Sequence, residues 1–168
     1  MNLTSYQIPG LALTDHDFQA PLDHAQPQGE QIHIFAREVV ALDKASANLP
    51  WLVFLQGGPG YAAPRPDSNS GWLKRALRDY RVLLLDQRGA GRSTPVTFQT
   101  LARFTSPQAQ ADYLKHFRAD AIVRDAELIR QTLAGGNTPW TVLGQSFGGF
   151  CALTYLSLAP QGLTGALI

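Results

Sequence analysis

Gly144-Gln145-Ser146-Phe147-Gly148 sets a serine between two glycines, with one apolar run ahead of it and another behind. A serine hydroxyl so placed can attack a carbonyl carbon, provided a base takes its proton. Flanking glycines let the chain turn sharply without Cβ clashes, so Oγ projects from a strained corner. A helix beginning there turns unpaired N–H groups toward developing negative charge. The spacing alone is weak, because glycine and serine are common residues. What raises it is a strand leading in and a helix leading out, the setting that acyl-transfer chemistry requires of this motif. An ordinary Gly/Ser turn is the plain alternative.

Two further loops follow apolar runs. Gln56-Gly57-Gly58-Pro59-Gly60 comes directly after Trp51 to Leu55. Glycines 57, 58 and 60 let backbone N–H groups approach a ligand closely. With a serine turn downstream, such a loop supplies half of an oxyanion hole, and the residue after the serine supplies the other half. That assigns the N–H groups of Gly58 and Phe147. The competing readings are a simple Gly-Pro turn and a phosphate loop, the latter a poorer fit because no Gly-Lys-Ser/Thr follows. Asp86-Gln87-Arg88-Gly89-Ala90-Gly91-Arg92-Ser93 follows Val82 to Leu85. It lacks the third glycine of a dinucleotide loop. Asp86 and Arg88 are expected to brace neighbouring loops by hydrogen bonds and an ion pair.

The four histidines, His16, His24, His33 and His116, all precede Ser146 and read as surface or structural residues. Cys151 reads as packing on the helix after the serine rather than as a thiol nucleophile. Trp72 and Tyr61 could line a pocket, although aromatic residues beside a sheet are more often simply packed.

These residues need elements to hold them. Residues 11–24 and 31–40 alternate in polarity and predict an antiparallel pair with one wet face, joined through 25–29 and lying at the sheet edge. Ile32, Ile34 and Ala36 are expected on one face, His33, Phe35 and Arg37 on the other. Residues 51–55, 82–85 and 140–143 are solid apolar runs, as in parallel strands buried on both faces. Helical patterns fall between them. One lies at 72–77, one opens at Ser106-Pro107, and one runs from Asp120 to Leu133 with a single apolar stripe. Gly135-Gly136-Asn137 stops that stripe. Residues 147–158 predict a helix after the serine, and 163–168 a further strand. Alternating strands and helices imply right-handed crossovers and a mostly parallel sheet with an antiparallel start, an α/β class.

The bulk properties narrow the function. Hydrophobic content of 45% against 16% charged residues over 168 residues argues for a core-rich globular chain of one domain. A net charge of +1 leaves no electrostatic footprint for nucleic acid or an anionic membrane. The first residues carry neither a basic nor an apolar leader segment, so the expectation is a cytoplasmic protein. One cysteine forms no internal disulfide and implies no metal cluster.

Taken together, "PLDHAQP" (21–27), "LQGGPGYAAPRP" (55–66), "YRVLLLDQRGAGRSTP" (80–95), "HFRADAIVRDAELIR" (116–130) and "LGQSFGGFCALTYLSL" (143–158) resemble the proline iminopeptidases of the α/β-hydrolase fold, in their larger bacterial subtype. Many members carry His where this chain has Gln56, and the larger subtype tends to carry Gln. The resemblance implies release of N-terminal proline from peptides, with Ser146 as nucleophile, Gly58 and Phe147 as oxyanion donors, and Asp86 and Arg88 as bracing residues. Gly57, Gly60, Gly144 and Gly148 support the site. No metal or organic cofactor is implied, and the partner is a peptide substrate. The family's catalytic Asp and His, and its helical cap, have no counterpart among these residues.

In α/β-hydrolases the triad runs Ser, then Asp or Glu, then His. No Asp, Glu or His follows Ser146 here. The expectation is therefore that residues 1–168 form the N-terminal part of an incomplete α/β-hydrolase domain, inactive in isolation. Another serine hydrolase of different specificity, or a non-catalytic chain using half the fold for interaction, stays open at this point.

Overall fold

In the computed structural model, which describes residues 3–168, the alternating front and the solid apolar runs become two kinds of strand in one sheet. The strands are β1 (Leu3–Ile8), β2 (Leu11–Pro21), β3 (Gln31–Ala41), β4 (Trp51–Leu55), β5 (Arg81–Leu85), β6 (Trp140–Gly144) and β7 (Leu163–Leu167). Their spatial order is β1-β2-β3-β5-β4-β6-β7. β1, β2 and β3 pair antiparallel, and β3 is antiparallel to β5. β5-β4, β4-β6 and β6-β7 are parallel. The expected α/β class, parallel with an antiparallel start, is what forms.

The helices are α1 (Gly71–Ala76), α2 (Phe98–Leu101), α3 (Pro107–Leu114), α4 (Ala119–Arg130) and α5 (Phe147–Leu158). α1 packs Leu73, Ala76 and, just past its end, Leu77 on one sheet face, over Leu52, Phe54, Val82 and Leu84. α4 and α5 cover the opposite face. Ile122, Val123, Ala126 and Ile129, the stripe read from sequence, meet Val53, Leu55, Leu83, Leu85 and Val142 there. The alternate residues of β4 and β5 thus serve two cores, so Leu52–Leu55 and Val82–Leu85 are apolar throughout. Ser106 caps α3 by accepting from the Ala109 amide at 3.1 Å, with Pro107 in the first turn. A π-type turn over Gln131–Gly135 closes α4, and Gly135 and Gly136 take positive φ (84° and 51°) as the helix stops.

Two expectations need correction. The outer strand is β1, not the hairpin of β2 and β3. β1 is short and polar (LTSYQI), so its alternation gives no core face to read. The second face of β3 is also not simply wet. Phe35 is fully buried, roofed by three guanidinium groups: Arg92 at 3.9 Å, Arg65 at 5.2 Å and Arg37 at 5.7 Å from its ring centre. Arginine planes cover an aromatic ring while staying hydrated at their rims. Asp15 balances them, accepting from Arg37 at 2.7 and 3.0 Å and from Arg92 at 2.7 Å.

The chain winds from β4 through α1 to β5 on one side, then from β5 through α4 back to β6 on the other. The direction of winding reverses at β4, and the crevice beyond the carboxyl ends of β4 and β6 is where ligands bind in such sheets.

Candidate active site

Register brings the two motifs together. β4 and β6 are neighbours, and Leu55 lies opposite Gly144. Gln56-Gly57-Gly58 and Gln145-Ser146 therefore leave the sheet side by side. The Gln145 amide donates to the Leu55 carbonyl at 3.2 Å, tying the start of the serine turn to the last residue of β4.

Ser146 has φ 53° and ψ −116°, and it is the sole non-glycine residue with positive φ among the described residues. A side chain in that region costs about 1–3 kcal/mol and persists only where the surroundings impose it. The surroundings do so through close backbone approach. A Cβ on Gly144 would overlap the Gly148 carbonyl, and a Cβ on Gly148 would overlap the Leu55 carbonyl. Gly57 passes the serine itself: a Cβ there would lie 3.1 Å from the Gln145 oxygen and 3.2 Å from the Ser146 Cβ. Gly60 differs. Its neighbourhood is open, and its φ of 96° serves the turn after Pro59. The Ser146 hydroxyl caps nothing, and the residue is exposed at the mouth of the crevice.

Two backbone amides of these loops lack a backbone acceptor among the described residues. Phe147 is the first residue of α5, so its N–H has no carbonyl one turn back to bond. Gly58 lies in the loop after β4 with φ 124°, and its amide finds no backbone acceptor among the described residues. Two such donors, where they face one point, can receive a developing oxyanion.

Asp86 and Arg88 are both buried in hydrogen bonds, each to different partners. Asp86, fully buried, accepts from the Ala63 amide at 2.8 Å, from the Arg92 amide at 2.7 Å, and from Arg65. It thereby ties the loop carrying Gly57 and Gly58 to the end of β5. A Cβ on Gly91 would strike the Asp86 carboxylate, so the chain passes that close only with glycine there. Arg88 is a separate hub. It pairs with Asp125 of α4 at 2.5 and 2.7 Å and donates to the carbonyls of Pro21, Leu22 and His116. Arg65 and Asp125 were not singled out from sequence, because each lies far along the chain from the residue it pairs with. Gln87, between the two bracing residues, was also passed over; its amide donates to the Gln56 carbonyl at 3.0 Å.

The histidines are structural. His16 is buried against Glu38 at 3.0 Å, His24 lies 2.9 Å from Asp125, and His33 lies 2.6 Å from Asp17. His116 sits in the 3-10 turn Lys115–Phe117 and gives its carbonyl to Arg88. Cys151 is fully buried on the core face of α5, and burial pushes its thiol up to about 12, far from a reactive thiolate. Trp72 stacks on Phe54 with ring centres 4.8 Å apart. Both line an apolar hollow of about 430 Å³ beside Ser146, completed by Leu143, Gly144, Gln145 and Ile168. Tyr61 is 70% exposed. Among the described residues no group of three His, Cys, Asp or Glu side chains is placed to hold a metal ion, and no helix is long and apolar enough to cross a membrane.

The chain is similar to curated proteins and solved structures. It is 57% identical over 159 residues to a proline iminopeptidase of Aeromonas sobria, covering 94% of this chain and 37% of that protein. It is 42% identical over 171 residues to the proline iminopeptidase aneH of Aspergillus aculeatus, covering 98% of this chain and 38% of that protein. The chain thus spans well under half the length of these relatives. Among solved structures, VinJ superposes with a TM-score of 0.59 at 21% identity, over 90% of this chain and 42% of that one. An alpha/beta fold family hydrolase from Bacillus anthracis superposes with a TM-score of 0.54 at 19% identity, over 92% and 42%. At such identities the likeness is one of fold. The alpha/beta hydrolase fold model matches residues 50–166, from the start of β4 through β6 and the serine turn into β7, and the chain belongs to that family.

Proposed function

We propose that this chain carries the nucleophile and oxyanion hole of a serine peptidase that releases N-terminal proline from peptides. The observation that carries the reading is Ser146, held in a left-handed strained turn against Gly57, with the amides of Gly58 and Phe147 left without a backbone acceptor. The similarity to two proline iminopeptidases supports the choice of substrate. The apolar hollow lined by Phe54 and Trp72 suits a pyrrolidine ring better than a charged side chain.

Ser146 Oγ attacks the carbonyl carbon of the terminal proline while a histidine base takes its proton. The C–O bond forms, and the carbonyl electron pair moves onto the oxyanion, which the Gly58 and Phe147 N–H groups receive. Collapse breaks the peptide C–N bond, and the protonated histidine gives its proton to the leaving amine. Water then hydrolyses the prolyl ester on Ser146. The histidine and the acid that orients it are not among residues 147–168, and we assign them to chain outside these residues. On this reading residues 1–168 are an incomplete α/β-hydrolase domain.

The test compares turnover of a prolyl amide, other aminoacyl amides and a simple acetyl ester by the protein as its source produces it. Prolyl amide is expected to be the preferred substrate, with turnover lost in Ser146→Ala. Preference for the ester, or activity that survives Ser146→Ala, would overturn the reading. The 168 residues alone are expected to show no turnover above their own Ser146→Ala variant.

A further inference from the structure

We propose that Gln87 is a positioning residue: with Gln56, it selects the Gly58 amide as the one that faces Ser146. The inference rests on the reading of Ser146 as nucleophile, and it concerns a residue that touches neither substrate nor serine.

The peptide unit between Gln56 and Gly57 is pinned at both polar ends by glutamine side chains. The buried Gln87 amide donates to the Gln56 carbonyl at 3.0 Å. The Gln56 side chain folds back, and its Oε1 accepts from the Gly57 N–H at 2.9 Å. The plane of this peptide cannot rotate without breaking both bonds. Its neighbours leave little slack. Gly148 of α5 lies so near that a Cβ on it would stand 3.0 Å from the Gln56 carbonyl oxygen.

The pinning has a chemical consequence. Gly57 passes close to Ser146, with a Cβ on it 3.2 Å from the serine Cβ, so its N–H competes with that of Gly58 for the oxyanion. Gln56 occupies the Gly57 N–H and leaves Gly58 free. Further along, Asp86 holds the Ala63 amide. Adjacent residues of the loop after β5, Asp86 and Gln87, therefore grip the oxyanion loop at its two ends. Gln87 governs the end that carries the donors. Without it, the Gln56 carbonyl loses its buried donor, which costs enough to favour rotation of the peptide. Rotation would swing the Gly57–Gly58 amides off the oxyanion position.

The experiment uses Gln87→Glu, which keeps the shape, and Gln87→Leu, which deletes the donor, in the protein as its source produces it. Three readings are taken: kcat and KM on prolyl amide and on an ester, affinity for a boronic acid that mimics the tetrahedral oxyanion, and amide hydrogen exchange over residues 56–63. Loss of a whole oxyanion donor costs roughly 10²–10³ in kcat, so a misaimed donor is expected to cost about 10- to 100-fold. KM should stay within about twofold, boronate binding should weaken in step with kcat, and exchange should quicken at 56–63 while β4 and β5 stay protected. In Gln87→Glu, kcat relative to that of the unaltered protein at the same pH should rise as pH falls, because the protonated acid again donates. Unchanged kcat, a loss confined to KM, or unchanged exchange in the isosteric variant would overturn the inference. If the unaltered protein turned over neither substrate, the peptidase reading would fall, while the exchange rates would still decide whether Gln87 pins the loop.

Discussion

Ser146 trades stability for position. Its φ of 53° stores about 1–3 kcal/mol of backbone strain, held in place by the close passage of Gly57, Gly144 and Gly148. Glycine adopts that conformation without strain but loses roughly 0.5–1 kcal/mol through added freedom in the unfolded chain. The difference favours the variant. Ser146→Gly is expected to gain about 1 kcal/mol in denaturant unfolding while losing all turnover. A destabilised Ser146→Gly would mean that the turn is not strained. The motif itself was readable, because glycine spacing around a serine records the required approach of backbones. The partners of Asp86 and Arg88 were not readable. The bracing role follows from their place after β5, but Arg65 and Asp125 are found through tertiary packing alone. Gln87 was hidden for a different reason: an amide that donates to one backbone carbonyl carries no charge or spacing signal.

Elements with a strong periodic signal formed where the sequence put them. The stripe Ile122, Val123, Ala126 and Ile129 is the buried face of α4, and the solid runs are the central strands. β1 and α2 escaped notice. One is polar and pairs only at the margin, and the other spans four residues, too few for any period, held by the Thr97–Thr100 capping box. α4 and α5 are joined by a polar contact that sets a pH response. Glu127 of α4 bonds Arg130 and accepts from the hydroxyl of Tyr155 in α5. Burial works to raise the Glu127 carboxyl, but Arg130 and Tyr155 outweigh it and hold it below the usual range. At Asp15, burial is likewise outweighed by Arg37 and Arg92. Each group's folded value lies below its unfolded one. Their stabilisation is complete above the unfolded values of about 4 and is lost as pH falls through the lowered ones. Thermal unfolding followed from pH 7 to pH 3 is expected to show a steep fall below about pH 4. Glu127→Gln should be less stable at pH 7 and show a shallower fall. Equal slopes in the two proteins would contradict the linkage.

At the scale of the whole molecule, the sheet delivers three loops to one crevice at the reversal of winding. β6 brings Ser146, β4 brings Gly57 and Gly58, and β5 brings the residues that grip the β4 loop. Elsewhere apolar groups lie without cover: Phe150 and Leu153 on α5 are 59% and 54% exposed, and Leu167 on β7 is 51% exposed. Exposed apolar side chains in such number mark a surface that packs against further protein, in keeping with the proposal that base and substrate cap come from outside these residues. The claim on which all of this depends is that Ser146 is the nucleophile. The most direct measurement is to treat the protein as its source produces it with a fluorophosphonate and to locate the adduct by peptide mass spectrometry. One adduct is expected, on Ser146, formed in step with loss of prolyl-amide turnover and absent from Ser146→Ala. Complete inactivation with the adduct on another residue, or full labelling at Ser146 with turnover intact, would contradict it.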